Sequence, residues 1–306
     1  MEFFNSVDDF NNFISWLEDQ KIAFGNSLVC MEATGVYCDR LCYFLASREF
    51  ALVVEAPHKV KMAFSKLTKS DSVDSRQIAE NAYRFKDELK LWKPKEEIVE
   101  NIKVLMTTRE QLTIQKTGLN NSLKAMQRKH IPTFFAEETL SKSIKHLKKQ
   151  IIDIEKEVEK LIKNDKDFYL KMSLLVSIPS VGKLLLYNLF AHTDGFVEDV
   201  NYKQLASYLG IAPLEYSIGS SVYRKPRSKQ RGPSRLRKLI YLAALSLSYH
   251  NKQFKKYYLR KVAEGKSKRL VLNNISNKLL KIICAVIKNK QFYIENYMSI
   301  HPKLLN

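Results

Sequence analysis

The sequence predicts an α/β domain at its start, then a long helical arm, then a mainly helical carboxy-terminal domain. Three observations carry that prediction. Between Asp8 and Arg84, apolar runs of strand length alternate with stretches of helical spacing. From about Glu96 to Leu170 the chain is nearly free of Gly and Pro and carries an apolar seam at heptad spacing. Beyond Ser173, apolar helical segments are joined by short turns and by one dense basic stretch. The expected domains are therefore 1–92, 93–170 and 171–306.

Taken in order, Val7-Asp8-Asp9 opens a helix carrying Phe10, Phe13, Ile14 and Leu17. Ser27 to Met31 reads as a buried strand that stops at Glu32-Ala33-Thr34-Gly35, and a helix holding Leu41, Phe44 and Leu45 follows. A second strand, Phe50 to Glu55, stops at Ala56-Pro57; Lys59 to Phe64 and Asp71 to Phe85 read as helices. Strand-helix-strand order implies a mostly parallel sheet. Only two full strands and a possible stub at Glu2–Asn5 are visible, which is few for such a sheet. In the arm, Ile144, Leu147, Ile151, Ile154, Val158 and Leu161 form the seam, with Pro132 as the break between two helices. The seam suits either an antiparallel hairpin packing on itself or a coiled coil joining two copies.

In the third region, Ile178-Pro179-Ser180-Val181-Gly182 joins two apolar helical segments. It reads either as a plain turn or as a helix-hairpin-helix turn, which aims backbone N–H groups at a phosphate. Tyr202 to Gly210 is a short helix. The Ser/Gly-rich loop Ile211 to Ser221 then leads into a basic loop and helix start. There Arg224, Lys225, Arg227, Lys229, Arg231, Arg235, Arg237 and Lys238 place eight cations within fifteen residues. A serine beside such a field can hold phosphate or supply an attacking hydroxyl, although a solvated linker has the same composition. Helices over Leu239–Tyr249 and Leu270–Lys288 close the domain.

Composition narrows the function classes. The 306 residues are 45% apolar, enough for packed cores, and 51 Lys and Arg against 32 Asp and Glu leave a formal charge of +19. A field of that sign favours a polyanion, nucleic acid first. No apolar run approaches the roughly 20 residues that cross a bilayer, and Met1-Glu2-Phe3-Phe4-Asn5 lacks the basic start of a signal peptide. Cys30, Cys38, Cys42 and Cys284 form no CxxC pair and no zinc pattern, so a cytoplasmic location is the expectation.

Three carboxylates stand out. Glu32 ends the first strand, and Asp71 and Asp74 open a helix at a spacing that puts both on one face. Carboxylates brought together repel unless a cation neutralises them, which points to a divalent ion, most naturally Mg²⁺. Each also has an ordinary reading, as a solvated loop residue or a helix N-cap.

Together the motifs resemble one family. Glu32-Ala33-Thr34-Gly35-Val36-Tyr37, Lys69-Ser70-Asp71-Ser72-Val73-Asp74-Ser75-Arg76, and Gly210-Ile211-Ala212-Pro213 with Ser217 and Arg231-Gly232 look like the DEDD transposases of insertion sequences. That family includes pilin-gene invertases and bridge-RNA-guided recombinases. The resemblance implies a RuvC-like, RNase-H-type first domain, a helical arm and a carboxy-terminal transposase domain. It further implies Mg²⁺ held by four acids and a serine that attacks DNA. Glu32, Asp71 and Asp74 take the places of the second, third and fourth acids, and Ser217 that of the serine. Arg224, Lys225, Arg227, Lys229, Arg231 and Arg235 are the implied nucleic-acid contacts.

The chain departs from the pattern twice. The family's first Asp lies on a strand upstream of everything seen here, so an incomplete first domain and impaired catalysis are expected. The position directly before Gly219 is Ile218 rather than serine, with Ser217 before it and Ser220 after. The implied partners are DNA, a structured guide RNA where one is used, and a second copy through the arm. The competing readings are a nucleic-acid-binding remnant without catalysis and a RuvC-like nuclease.

Overall fold

The computed structural model describes the chain except for residues 1–2, 23–24, 26, 58, 61–70, 197–199, 219–221, 229–231 and 296–306, and describes backbone alone at 71–72, 214–218 and 222–227. The chain divides into two compact units, Met1–Lys95 and Glu96–Asn306.

The first unit begins with α1 (Val7–Asp19), whose N-cap is Ser6, the residue before the predicted start; its hydroxyl accepts from the Asp9 N–H. Asp9 also accepts from the Phe4 N–H at 2.9 Å. The expected stub does not form over Phe3–Asn5, because Phe3 turns back to set its ring against Phe13 at 5.3 Å. β1 (Leu28–Glu32) and β2 (Ala51–Glu55) pair in parallel, flanking α2 (Val36–Ala46). Strand faces alternate. Val29 and Met31 pack with Ile14, Leu17, Leu45 and Leu52, which form a small core with Phe50. α3 (Asp71–Arg84) packs on β1. The predicted helix over Lys59–Phe64 lies largely outside the described residues.

The second unit carries the larger core. α4 (Glu97–Met126) and α5 (Phe134–Asn164) run antiparallel, with Pro132 in the loop between them. Ile144, Ile151 and Val158 of the seam are buried, and Leu147, Ile154 and Leu161 are half-buried. Arg109 of α4 donates to Glu155 of α5 at 2.6 Å. At the base of this hairpin Val99, Ile102, Met106, Val158 and Ile162 join the core of the helices that follow. Those are α6 (Lys166–Val176), α7 (Lys183–His192), α8 (Tyr202–Tyr208), α9 (Ser234–His250), α10 (Lys252–Ala263) and α11 (Lys268–Asn289).

Two sequence expectations are corrected here. The stretch read as a serine loop and basic loop is an antiparallel pair, β3 (Leu214–Ile218) and β4 (Val222–Arg227). Leu214-Glu215-Tyr216-Ser217-Ile218 alternates apolar and polar, the strand period, and Pro226 is tolerated because each strand of a two-stranded pair is an edge. α11 is, by length and composition, a helix that could cross a membrane, contrary to the expectation that nothing here approaches that length. Its residues Val271, Leu272, Ile275, Leu279, Leu280 and Ile283 are instead buried in the core.

Gly232 has φ +91°, and a Cβ there would lie 1.9 Å from the Tyr208 carbonyl oxygen. Gly118 sits inside α4 with nothing within 4 Å of the same added atom. Gly232→Ala is therefore expected to destabilise the protein by roughly 2 kcal/mol or more. Gly118→Ala is expected to stabilise it by about 0.5–1 kcal/mol. Thermal unfolding of the two variants beside the parent checks both signs.

Candidate functional site

Both strands of the parallel pair end on a glutamate, and the pairing register sets Glu32 beside Glu55. Ala33 donates its N–H to the Glu55 carbonyl at 2.8 Å, so the chains leave the sheet together. In open α/β sheets the carboxyl ends of parallel strands are where ligands bind. Met31 faces the core, its sulfur 3.5 Å from Cys42 Sγ, so Cys30 and Glu32 lie on the opposite face. Burial and then the charge of Glu55 push the Cys30 thiol up, and burial pushes Cys42 up to about 12. These cysteines stay protonated thiols at neutral pH. After Gly35, at φ +69°, the chain enters α2 and leaves Glu32 at the rim.

Glu55 is the acid that sequence reasoning passed over. It is buried, and its carboxylate accepts from Lys59 Nζ at 3.2 Å and 3.0 Å. Its signal was the same as that of Glu32, a carboxylate closing an apolar strand before a turn. Asp74 is half-buried in the first turn of α3, the helix that packs on β1. Asp71 opens that helix, and its side chain lies outside the described atoms. Among the described residues no three His, Cys, Asp or Glu side chains stand close enough to hold a metal ion. The donor chemistry of Glu32, Asp71 and Asp74 is carboxylate oxygen throughout, which suits the hard, oxygen-seeking Mg²⁺.

The second candidate region lies at the hairpin. Gly210, at φ +65°, turns the chain out of α8. The Ile211 carbonyl then accepts from Asn273 Nδ2 at 3.0 Å and Asn277 Nδ2 at 3.3 Å, one turn apart on α11. β3 starts three residues later. Ser217 pairs with Tyr223, which places it on a strand next to the hairpin's end. Ser220 lies outside the described residues. Arg224, Lys225 and Arg227 are on β4, described as backbone alone; Lys229 and Arg231 lie outside the described residues. Arg235, in the first turn of α9, is only 16% exposed and pairs with Glu110 of α4 at 3.0 Å. Its Nε–H is buried with no acceptor among the described residues.

The turn between α6 and α7 is tight, with Val181 N–H donating to Ile178 carbonyl at 3.1 Å. Ser180 has φ +65°, the left-handed conformation that a glycine adopts freely, and its hydroxyl lies 3.0 Å from that of Ser246 on α9. Lys183, the first residue of α7, and Lys163 both bind Glu159 of the arm, at 2.9 Å and 3.0 Å.

Known proteins resemble the chain over both units. Residues 172–259 match the profile of the IS116/IS110/IS902 family of transposases, and residues 1–132 match a DEDD transposase profile of the IS110 type. The pilin gene-inverting protein of Moraxella lacunata is 25% identical over 293 residues, 94% of this chain and 88% of that protein. The pilin gene-inverting protein of Moraxella bovis matches to the same extent. The transposase for insertion sequence element IS1111A of Coxiella burnetii is 24% identical over 268 residues, 78% of this chain and 71% of that protein.

Hydrogen bonds from Lys183 and then Lys163 hold the Glu159 carboxyl below its ordinary value. A depressed folded-state value gives stability that is present above the unfolded value of about 4.3 and lost as pH falls through the folded one. Glu159→Gln should therefore unfold at a lower temperature than the parent at pH 7. The gap should close as the pH is taken below about 4, as thermal melts across pH will register.

Proposed function

We propose that this chain, which belongs to the IS116/IS110/IS902 family of transposases, is a DNA recombinase that cuts and rejoins strands through a serine ester. The observation that carries the reading is the placement of Glu32 at the carboxyl end of β1, with the helix that bears Asp71 and Asp74 packed on the same strand. We read the first unit as an RNase-H-type domain of the RuvC kind, in which Glu32, Asp71 and Asp74 hold Mg²⁺. Bound there, the ion supplies Lewis-acid stabilisation of the charge that builds on the scissile phosphate.

The chain's own residues do the rest. Ser217 Oγ gives up its proton and forms a bond to phosphorus, while the bond from phosphorus to the leaving sugar oxygen breaks and that oxygen takes a proton. A sugar hydroxyl of the second strand then attacks the phosphoserine, which restores the Ser217 hydroxyl and closes a new phosphodiester. Arg224, Lys225, Arg227, Lys229 and Arg231 neutralise the backbone around the reacting phosphate. Arg235 serves differently from the sequence expectation in this reading: through Glu110 it ties the start of α9 to α4. Assembly of copies through α4 and α5, and use of a structured RNA, belong to the same proposal.

Strand exchange on DNA carrying matched element ends, with Mg²⁺ and with the cognate RNA if one is used, tests the reading. Glu32→Ala, Asp71→Ala and Asp74→Ala should each lower exchange by about 100-fold or more while DNA binding in EDTA is kept. Ser217→Ala should abolish the covalent protein–DNA adduct seen on a denaturing gel. Loss of the adduct in Ser220→Ala instead would move the nucleophile to Ser220. Salt-sensitive DNA binding with no exchange by the parent would leave a binding protein in place of a recombinase.

A further inference from the structure

An open groove of about 1060 Å³ lies between α9 and α11, at the root of the β3–β4 hairpin. Pro213, the residue before β3, and Ser228, the residue after β4, both line it. Among the described residues its charged side chains are Arg237, Lys238 and Arg269, and no carboxylate lines it. Lys238 and Arg269 are exposed and make no ion pair among the described residues. Arg237 donates to the Leu209 carbonyl at 2.8 Å, which fixes its guanidinium along one wall.

The remaining polar lining consists mainly of hydroxyls and amides, among them Ser234, Ser267, Asn273 and Asn274. Asn273 is already bound to the Ile211 carbonyl, so the arginine and this amide tie the groove walls to the hairpin root. α9 and α11 also both begin at the groove, at Ser234 and Lys268, and helix starts favour negative charge. Small-molecule sites are mostly apolar clefts of roughly 300–1,000 Å³. A cavity at the top of that range, lined by cations and hydrogen-bond donors, suits a phosphodiester chain better than a compact ligand. One wall, α11, lies wholly beyond the residues that match the family profile.

We infer that this groove seats the sugar-phosphate backbone of the DNA strand that is presented to the hairpin, with Lys238, Arg269 and Arg237 as its phosphate contacts. The inference rests on the recombinase reading for its choice of DNA, and it adds residues of α11 to the binding surface. Lys238 and Arg269 contact phosphates and leave the chemistry to the acids and the serine.

The test is binding of a 5′-labelled single-stranded DNA oligonucleotide to the full chain, followed by fluorescence anisotropy in EDTA over a range of salt. A duplex and an RNA of equal length are run beside it. The Lys238→Ala/Arg269→Ala double variant should bind the DNA strand about ten-fold more weakly at moderate salt. The slope of log affinity against log salt should fall by about 1.5. Lys145→Ala/Lys148→Ala, which removes equal charge from exposed positions on α5, should leave both unchanged. Circular dichroism melts confirm that the exposed substitutions leave folding intact.

Equal DNA affinity in the groove variant and the parent would overturn the inference. Equal losses in the two double variants would overturn it too, as would a loss confined to the RNA. Groove-dependent DNA binding by a chain that exchanges no strands would leave the inference standing and remove the recombinase reading. A parent chain that binds no DNA would overturn both.

Discussion

The carbonyl oxygen of Ile211 has two lone pairs, and α11 supplies an amide to each, from Asn273 and Asn277. The Leu209 carbonyl is occupied as well, by the Arg237 guanidinium. This short stretch leaves α8 and becomes β3, so its carbonyls would otherwise be orphaned at the edge of a buried core. Each such bond contributes about 1 kcal/mol net, and leaving a buried acceptor unpaired costs more than that. The result is that the hairpin with Ser217 is rooted in both α9 and α11. Burial of α11 against the rest of the second unit thereby becomes a condition for where the serine stands.

The two candidate centres have different foundations. Glu32 and Glu55 rest on a two-stranded sheet backed by a small core of Ile14, Leu17, Leu45, Phe50 and Leu52. Sheets of so few strands gain independent stability only through packing on helices, and α1, α2 and α3 provide it here. The hairpin draws on a core that runs from Val99 in the arm to Ile287 at the end of α11.

What could be read from the sequence follows from the range of the forces involved. The arm was legible because a heptad seam is a local pattern and Pro132 marks its break, and β1 and β2 were legible as apolar runs ended by turn residues. The hairpin was misread because glycine, serine and clustered cations look like a solvated loop, although Tyr216, Ile218 and Val222 carried a strand's alternation. α10 was missed for a related reason: only Phe254 of its residues is buried, which gives little apolar signal. Glu55 offered the same local signal as Glu32, but its place beside Glu32 and the partnership of Arg235 with Glu110 depend on tertiary register, which no local pattern encodes. Asp71 and Asp74 were placed on one helix correctly, and a shared family pattern, rather than their spacing, gave them a role.

The arm also has a mechanical side. Its 30- and 31-residue helices extend about 45 Å at 1.5 Å per residue, and the described residues tie it to the core mainly near its base. At the far end Ile131, Phe134 and Phe135 stand in solvent. A rod clamped at one end is a lever: a tilt of about five degrees at the Val99 and Ile162 seats sweeps the tip through about 4 Å. Small repacking around those seats is thus converted into a displacement as wide as a side chain at the aromatic tip. Conversely, a load applied at the tip returns to the core with the same mechanical advantage.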